Sequence, residues 1–238
     1  MRVFFKICIT FASATAILLV AALAWLRYDT RGLPNVEPLR QYLQANATPV
    51  IDSCLGPITA VTSYESIGSN MRAALSSAEV SEDSPGVLVT AYRDFMRPAG
   101  ANHVSISLVI SRTLVCTNSR PLVHSIDELR TAVQLERRFT SRELFTIFAN
   151  RLVFANDVIG VESASQYFFR KHSSELSIDE AALLVGMLKS PTRYSPYQHP
   201  DRAVLHRNQV IDEMLQQRQI SESEAFNAKS ALLHIAGR

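Results

Sequence analysis

Two glutamates, one arginine and a few hydroxyls are the side chains of this 238-residue sequence whose types and positions could carry chemistry. Glu79 follows the small-residue run Ala73-Ala74-Leu75-Ser76-Ser77-Ala78 and precedes a second acidic pair, Glu82-Asp83; Glu128 lies well downstream. Arg112 sits near the end of an otherwise apolar segment that opens Ser105-Ile106-Ser107. Two carboxylates brought to one cleft can divide work between taking a proton and positioning a reactant, and a guanidinium suits bidentate contact with phosphate oxygens. Each has a plainer reading. Glu79 with Glu82 and Asp83 also fits a solvated helix C-terminus, and Arg112 an exposed cation on an apolar helix. Ser125-Ile126-Asp127-Glu128 fits a capping box, which would keep Glu128 only to start a helix. Other chemistries lack their residues: six histidines and three cysteines show no metal-ligand spacing, and neither a Gly-x-Ser-x-Gly elbow nor a glycine-rich phosphate loop occurs.

The elements that must position these residues read as helices. Met71 to Glu79, Gly86 to Phe95, Val104 to Val115 and Ile126 to Arg138 carry apolar residues three and four apart. Thr140 with Glu143, Ser177 with Glu180 and Ser221 with Glu224 fit capping boxes. Arg97 to Asn102 is a breaker-rich loop, Asn156-Asp157 a turn, and Pro191, Pro196 and Pro200 punctuate a loop before two last helices. From Thr48 to Ser69 the β-branched residues Val50, Ile51, Ile58, Thr59, Val61 and Thr62 predict extended or irregular chain. A net charge of +2 gives no footprint for a nucleic-acid partner. The twenty uncharged residues Ile7 to Leu26 are long enough to cross a bilayer core, with Trp25 and Tyr28 as interfacial residues; a cleaved signal ending at Ala22-Leu23-Ala24 is the alternative.

From Leu135 onward the sequence runs Leu135-Glu136-Arg137-Arg138-Phe139-Thr140, Phe148-Ala149-Asn150-Arg151, Gly160-Val161-Glu162, Glu180 to Gly186 and Arg193-Tyr194-Ser195-Pro196-Tyr197. That series resembles the peptidoglycan glycosyltransferases, the monofunctional transglycosylases and the N-terminal module of class A penicillin-binding proteins. The resemblance implies a mainly α, lysozyme-like helical domain behind one N-terminal transmembrane helix. Residues 1–30 are then an anchor, 31–70 a linker with irregular or extended chain, and 71–238 the glycosyltransferase-like domain. It also implies a cytoplasmic N-terminus in the inner membrane, a periplasmic body, lipid II as substrate, and other wall-synthesis proteins as partners; it settles on no cofactor and leaves a divalent cation open.

The family's motifs fall on the residues already singled out. An E-D-x-x-F-x-x-H pattern places Glu79 as the catalytic base, with Val80 where Asp is expected; a rival alignment uses Glu82-Asp83. G-G-S-T-I-T-Q-Q-L-x-K-N falls on Asn102 to Thr113, keeping Ser105, Ser107 and a cation at Arg112 as substrate contacts but turning both glutamines into Leu108 and Val109. R-K-x-x-E falls on His124 to Glu128, keeping Glu128 as the second catalytic glutamate. K-x-x-I-L-E-x-Y-L-N keeps Asn150 as a substrate contact, with Thr146 and Phe148 replacing Glu and Tyr. R-R-x-x-V-L reads His206 to Ile211. Apolar frame positions persist where polar ones have changed, so a catalytically impaired binding or scaffold module is the alternative reading. In an exported body Cys54 and Cys116 form a possible disulfide, against two separately buried thiols.

Overall fold

Two helices are buried along nearly their whole length, and the other described elements pack against them. The computed structural model describes residues 17, 20–22, 24–25, 31–44, 50–52, 55–58, 60–78, 86–87, 89, 105–114, 121–154 and 158–236. Within these, eight helices are α1 (Ser69–Ser77), α2 (Ile106–Leu114), α3 (Pro121–Arg138), α4 (Ser141–Arg151), α5 (Val161–Phe169), α6 (Ile178–Leu188), α7 (Pro200–Gln216) and α8 (Glu222–Ser230). Helix α4 is buried without a break from Leu144 to Arg151, and α6 from Glu180 to Met187. A helix covered on all sides must lie inside its neighbours. Accordingly α7 and α1 pack on α6, α8 crosses α7, and α2 packs on both α3 and α4.

The mainly helical expectation is met. Among the described residues, extended pairing is confined to an antiparallel ribbon of β1 (Val50–Asp52) with β2 (Gly56–Ile58) and a single bridge between Val153 and Ile159. Before it, a 3₁₀ helix spans Glu37–Leu43. Val36, Leu39 and Tyr42, three residues apart, match the 3₁₀ period and are all buried against α4. The segment expected as linker therefore joins the core: Val36, Leu39, Tyr42, Ile58 and Ile67 belong to the same apolar cluster as Phe145, Phe168 and Leu184.

Helix ends follow local chemistry. Glu143 N–H donates to the Thr140 hydroxyl (3.3 Å) while Thr140 N–H donates to the Glu143 carboxylate (2.7 Å), and Ser221 with Glu224 repeats the exchange. At Ser177 the box with Glu180 forms as well, the Ser177 N–H donating to the Glu180 carboxylate at 3.0 Å, while its hydroxyl donates to Asp179 at 2.7 Å. Helix α3 starts at Pro121, earlier than the expected Ile126, since proline suits a first turn whose N–H has no intrahelical use. Gly160 precedes α5 with φ +88, donates its N–H to Leu152 O (2.8 Å), and leaves only 3.1 Å between a built Cβ and Asn150 O. A side chain there meets both strain and backbone.

Helix α5 is tied to the following loop by one carboxylate. Glu162 accepts from the Ser173 hydroxyl (2.6 Å), the Ser173 N–H (3.0 Å) and His172 Nδ1 (2.7 Å). Burial pushes Glu162 up, but these bonds outweigh it and hold the carboxyl below its ordinary range; Glu162 in turn draws exposed His172 above the usual imidazole value. The carboxylate's contribution is present at neutral pH and lost as pH falls through its depressed folded value. The imidazolium's is full below about 6.5 and lost as pH rises through its raised folded value. Glu162→Gln should therefore lower the melting temperature most near pH 5 to 6.5, with the gap to wild type narrowing in acid, as followed by circular dichroism across a pH series.

Arg207, 2% exposed, donates to Lys229 O and Ala231 O, both at 2.9 Å, fastening the end of α8 to α7. Tyr197 hydroxyl donates to Ala236 O (2.8 Å). Towards the other end of the chain, the Arg130 guanidinium lies 4.6 Å from the Trp25 ring centroid. Most of the run from Ile7 to Leu26 lies outside the described residues, and among those described no helix is long and apolar enough to cross a membrane. Cys54, Cys116, most of Gly86 to Phe95, the Arg97 to Asn102 loop and the Asn156-Asp157 turn also lie outside them.

Candidate active site

Five helices converge on a cleft of about 610 Å³. Ala78 at the end of α1, Val109 and Thr113 of α2, Phe148 and Arg151 of α4, Leu188 closing α6 and Lys189 just after it, and His206, Gln209 and Glu213 of α7 contribute to its wall. Its floor is largely aliphatic, with polar groups carried on the last turns and on α7. Gly186 admits the close approach of α7: a Cβ there would meet His206 C at 3.0 Å and Arg207 N at 3.1 Å.

The residues expected to act are spread differently from their sequence reading. Glu79, and with it Glu82 and Asp83, lies outside the described residues; its neighbour Ala78 lines the cleft. Glu128 is not at a helix start. Because α3 begins at Pro121, Ser125 falls in its second turn, and the Glu128 carboxylate reaches across to Arg112 Nε on α2 at 3.5 Å. The capping-box reading of Glu128 is thereby corrected, and the two residues expected to face substrate face each other. Glu128 is mostly buried and Arg112 mostly exposed, so a ligand can reach the cation more readily than the carboxylate.

Ser105 and Ser107, expected at the substrate, are buried instead and donate to Glu136 Oε1 at 3.2 and 2.5 Å, where Val87 N–H also donates at 2.7 Å. Their hydroxyls fasten the start of α2 to α3. Asn150, also expected at the substrate, is fully buried: Thr62 N–H donates to its Oδ1 (2.8 Å), and its Nδ2 donates to Thr62 O (2.8 Å) and Thr146 O (3.0 Å). The side-chain amide completes the backbone pairing of an irregular segment.

Sequence reasoning missed Arg151, Lys189, His206, Gln209 and Glu213. His206, Gln209 and Glu213 stand at i, i+3 and i+7 on α7, between the buried Arg207, Val210 and Met214, a polar stripe readable as a cleft face. Arg151 is almost fully buried and donates to the Thr113 hydroxyl (2.9 Å) and the Tyr42 hydroxyl (3.4 Å). The His206 ring lies against Tyr194, tilted by 40° with centroids 3.7 Å apart; burial and the nearby Lys189 and Arg193 charges hold its imidazole below the usual range. Among the described residues, no group of three or more His, Cys, Asp or Glu side chains is placed to hold a metal ion.

Residues 88–215, more than half of the chain, match the transglycosylase family. This chain belongs to that family. Every cleft-lining residue except Ala78 falls inside the matched segment. Penicillin-binding protein 1A of Aquifex aeolicus (strain VF5) is 36% identical over 120 residues, covering 50% of this chain and 16% of that protein. Penicillin-binding protein 1F of Bacillus subtilis (strain 168) is 30% identical over 152 residues, 63% of this chain and 21% of that protein. The crystal structure of penicillin-binding protein 1A from Haemophilus influenzae aligns at 22% identity and a TM-score of 0.37, covering 55% of this chain and 16% of that one. The chain thus spans less than a quarter of the length of these relatives.

Proposed function

We propose that this transglycosylase family member polymerises peptidoglycan glycan strands from lipid II, a disaccharide carried on a polyprenyl pyrophosphate, while anchored in the inner membrane with its body in the periplasm. The observation that carries the reading is the cleft itself: it is built from family-matched residues and opens at the end of α1, at the residue before Glu79. In this reading Glu79 takes the proton from the acceptor 4-hydroxyl as that oxygen bonds to the donor carbon with inversion. The bond from that carbon to the pyrophosphate breaks and the pyrophosphate departs with the electron pair. Glu128 is the second carboxylate, and Arg112 offsets charge on the leaving group once it turns from Glu128 to the phosphate. The exposed Ile17, Val20 and Trp25 support attachment at a lipid surface.

The Arg112–Glu128 pair, the buried serines and the buried Asn150 favour a second reading, a binding or scaffold module with an impaired centre. Incubating the purified chain with lipid-linked disaccharide separates the two. Growth of glycan chains is the expected result. Retention of the lipid with no chain growth would support the module, and neither retention nor growth would remove both readings.

A further inference from the structure

A second cavity, of about 500 Å³, draws on other residues of α6 and α7 than the cleft does and shares none of its lining. It is bounded by Phe169 at the end of α5, the first turns of α6, Arg207 of α7 and the stretch 231–234 that follows α8. That stretch is held before and after: Arg207 donates to Ala231 O, and Ala236 donates its N–H to Phe168 O at 2.7 Å. Lys171, Glu180, Asp179 and Arg207 all line the space, and they form two unlike pairs. Lys171 Nζ donates to Glu180 Oε1 at 2.7 Å, so these charges answer each other. Arg207 and Asp179 do not meet. Burial lowers the Arg207 guanidinium and the Asp179 charge opposes that lowering, yet among the described residues the two form no ion pair. The guanidinium donates to Asn208 Oδ1, Ala231 O and Lys229 O, which leaves one N–H on each terminal nitrogen. Asp179 accepts the Ser177 hydroxyl on Oδ1 at 2.7 Å and, among the described residues, keeps Oδ2 open.

We propose that this cavity binds a free α-amino acid with an apolar side chain, its carboxylate on Arg207, its ammonium on Asp179 and its side chain against Phe169, Leu183 and Leu233. A buried cation and a carboxylate kept apart by a gap are each incompletely neutralised, and a zwitterion brings one opposite charge to each while adding no net charge to the space. A simple anion would face Asp179 and Glu180 in the same cavity, and a simple cation would face Arg207 and Lys171, so either meets a repulsion that the zwitterion offsets. The rest of the wall selects the carbon skeleton: Leu183 is 1% exposed, and burying methyl groups beside it, Phe169 and Leu233 displaces water from apolar surface. The volume lies within the range of small-molecule sites. Because Arg207 also holds Lys229 O and Ala231 O, an occupant tightens the end of α8 and the stretch after it onto α6. The inference concerns a space outside the cleft, so it and the catalytic reading fail separately.

The test uses the full chain in neutral lipid nanodiscs and titrates leucine, isocaproate, isoamylamine, glycine and N-acetylleucinamide by calorimetry. Leucine is expected to bind at least about tenfold more tightly than isocaproate, which lacks the ammonium, isoamylamine, which lacks the carboxylate, and glycine, which lacks the side chain. Asp179→Asn should weaken leucine about tenfold without weakening isocaproate, and its melting temperature should change little, because asparagine keeps an oxygen for the Ser177 hydroxyl. Leu233→Ser should weaken leucine and leave glycine unaffected. Arg207 is left in place, since its loss would also release α8. Equal leucine binding by wild type and Asp179→Asn, or leucine binding no tighter than isocaproate, overturns the proposal. N-acetylleucinamide binding as tightly as leucine overturns it as well, in favour of a peptide segment whose amide bridges Arg207 and Asp179. Glycan synthesis by Asp179→Asn should match wild type, since Asp179 does not line the cleft, and leucine binding by a chain that makes no glycan would remove the catalytic reading alone.

Discussion

Glu79→Gln should reduce glycan polymerisation by about two orders of magnitude or more, the span that general-base catalysis ordinarily supplies. The substitution keeps the side chain's size and removes its proton acceptor, so the acceptor hydroxyl would have to attack undeprotonated. Position favours Glu79 over its acidic neighbours: α1 ends at Ser77, Ala78 already faces the cleft, and Glu82 lies three residues further along the chain. Glu82→Gln should accordingly retain most activity, with product length measured on the same lipid-linked substrate. Loss in Glu82→Gln with full activity in Glu79→Gln would reverse the assignment. Binding of lipid-linked donor, followed in parallel, should be nearly unaffected in Glu79→Gln, because the role proposed for it is confined to the reacting hydroxyl.

Much of the frame could be read from the sequence because its signals are local. Apolar spacing placed α1 and α2 within two residues of their observed starts, and the Thr140 and Ser221 boxes fixed the starts of α4 and α8. The start of α3 was misplaced because Ser125 to Glu128 carries a capping-box pattern inside a helix that Pro121 had already begun. The site was less legible, for a physical reason. A motif match says which residue type stands at a position but not where its atoms are spent. Ser105 and Ser107 are spent on Glu136, and Glu128 is met by Arg112. The basic side chains that do face the cleft there, Lys189 and the imidazole of His206, come from a helix end and a helix face brought together by the α6–α7 packing at Gly186. No sequence window contains both.

Asn150 separates a residue kept for chemistry from one kept for folding. Asn150→Leu preserves the approximate volume but leaves Thr62 N–H and Thr62 C=O, both inside the protein, without the amide that pairs them. Each buried backbone group stripped of its partner costs about 1–3 kcal/mol, so the change should destabilise the fold by roughly 4 kcal/mol. In a body of this size that corresponds to a fall in melting temperature of about 8–16 °C, a large part of the margin a domain has. The segment most affected should be residues 60–67, whose path to α1 depends on this clamp and on Tyr42, also reached by Asn150 Nδ2 at 3.4 Å. Thr62→Val is the matched control: it alters the side chain at the same place but leaves both backbone bonds intact, and should cost less than about 1 kcal/mol. Hydrogen exchange should show faster opening of residues 60–67 in Asn150→Leu only. A substrate-binding role would produce the opposite pattern, with an unchanged melting temperature and a loss confined to donor binding or turnover; that result would show that the buried amide is released towards the cleft when ligand arrives.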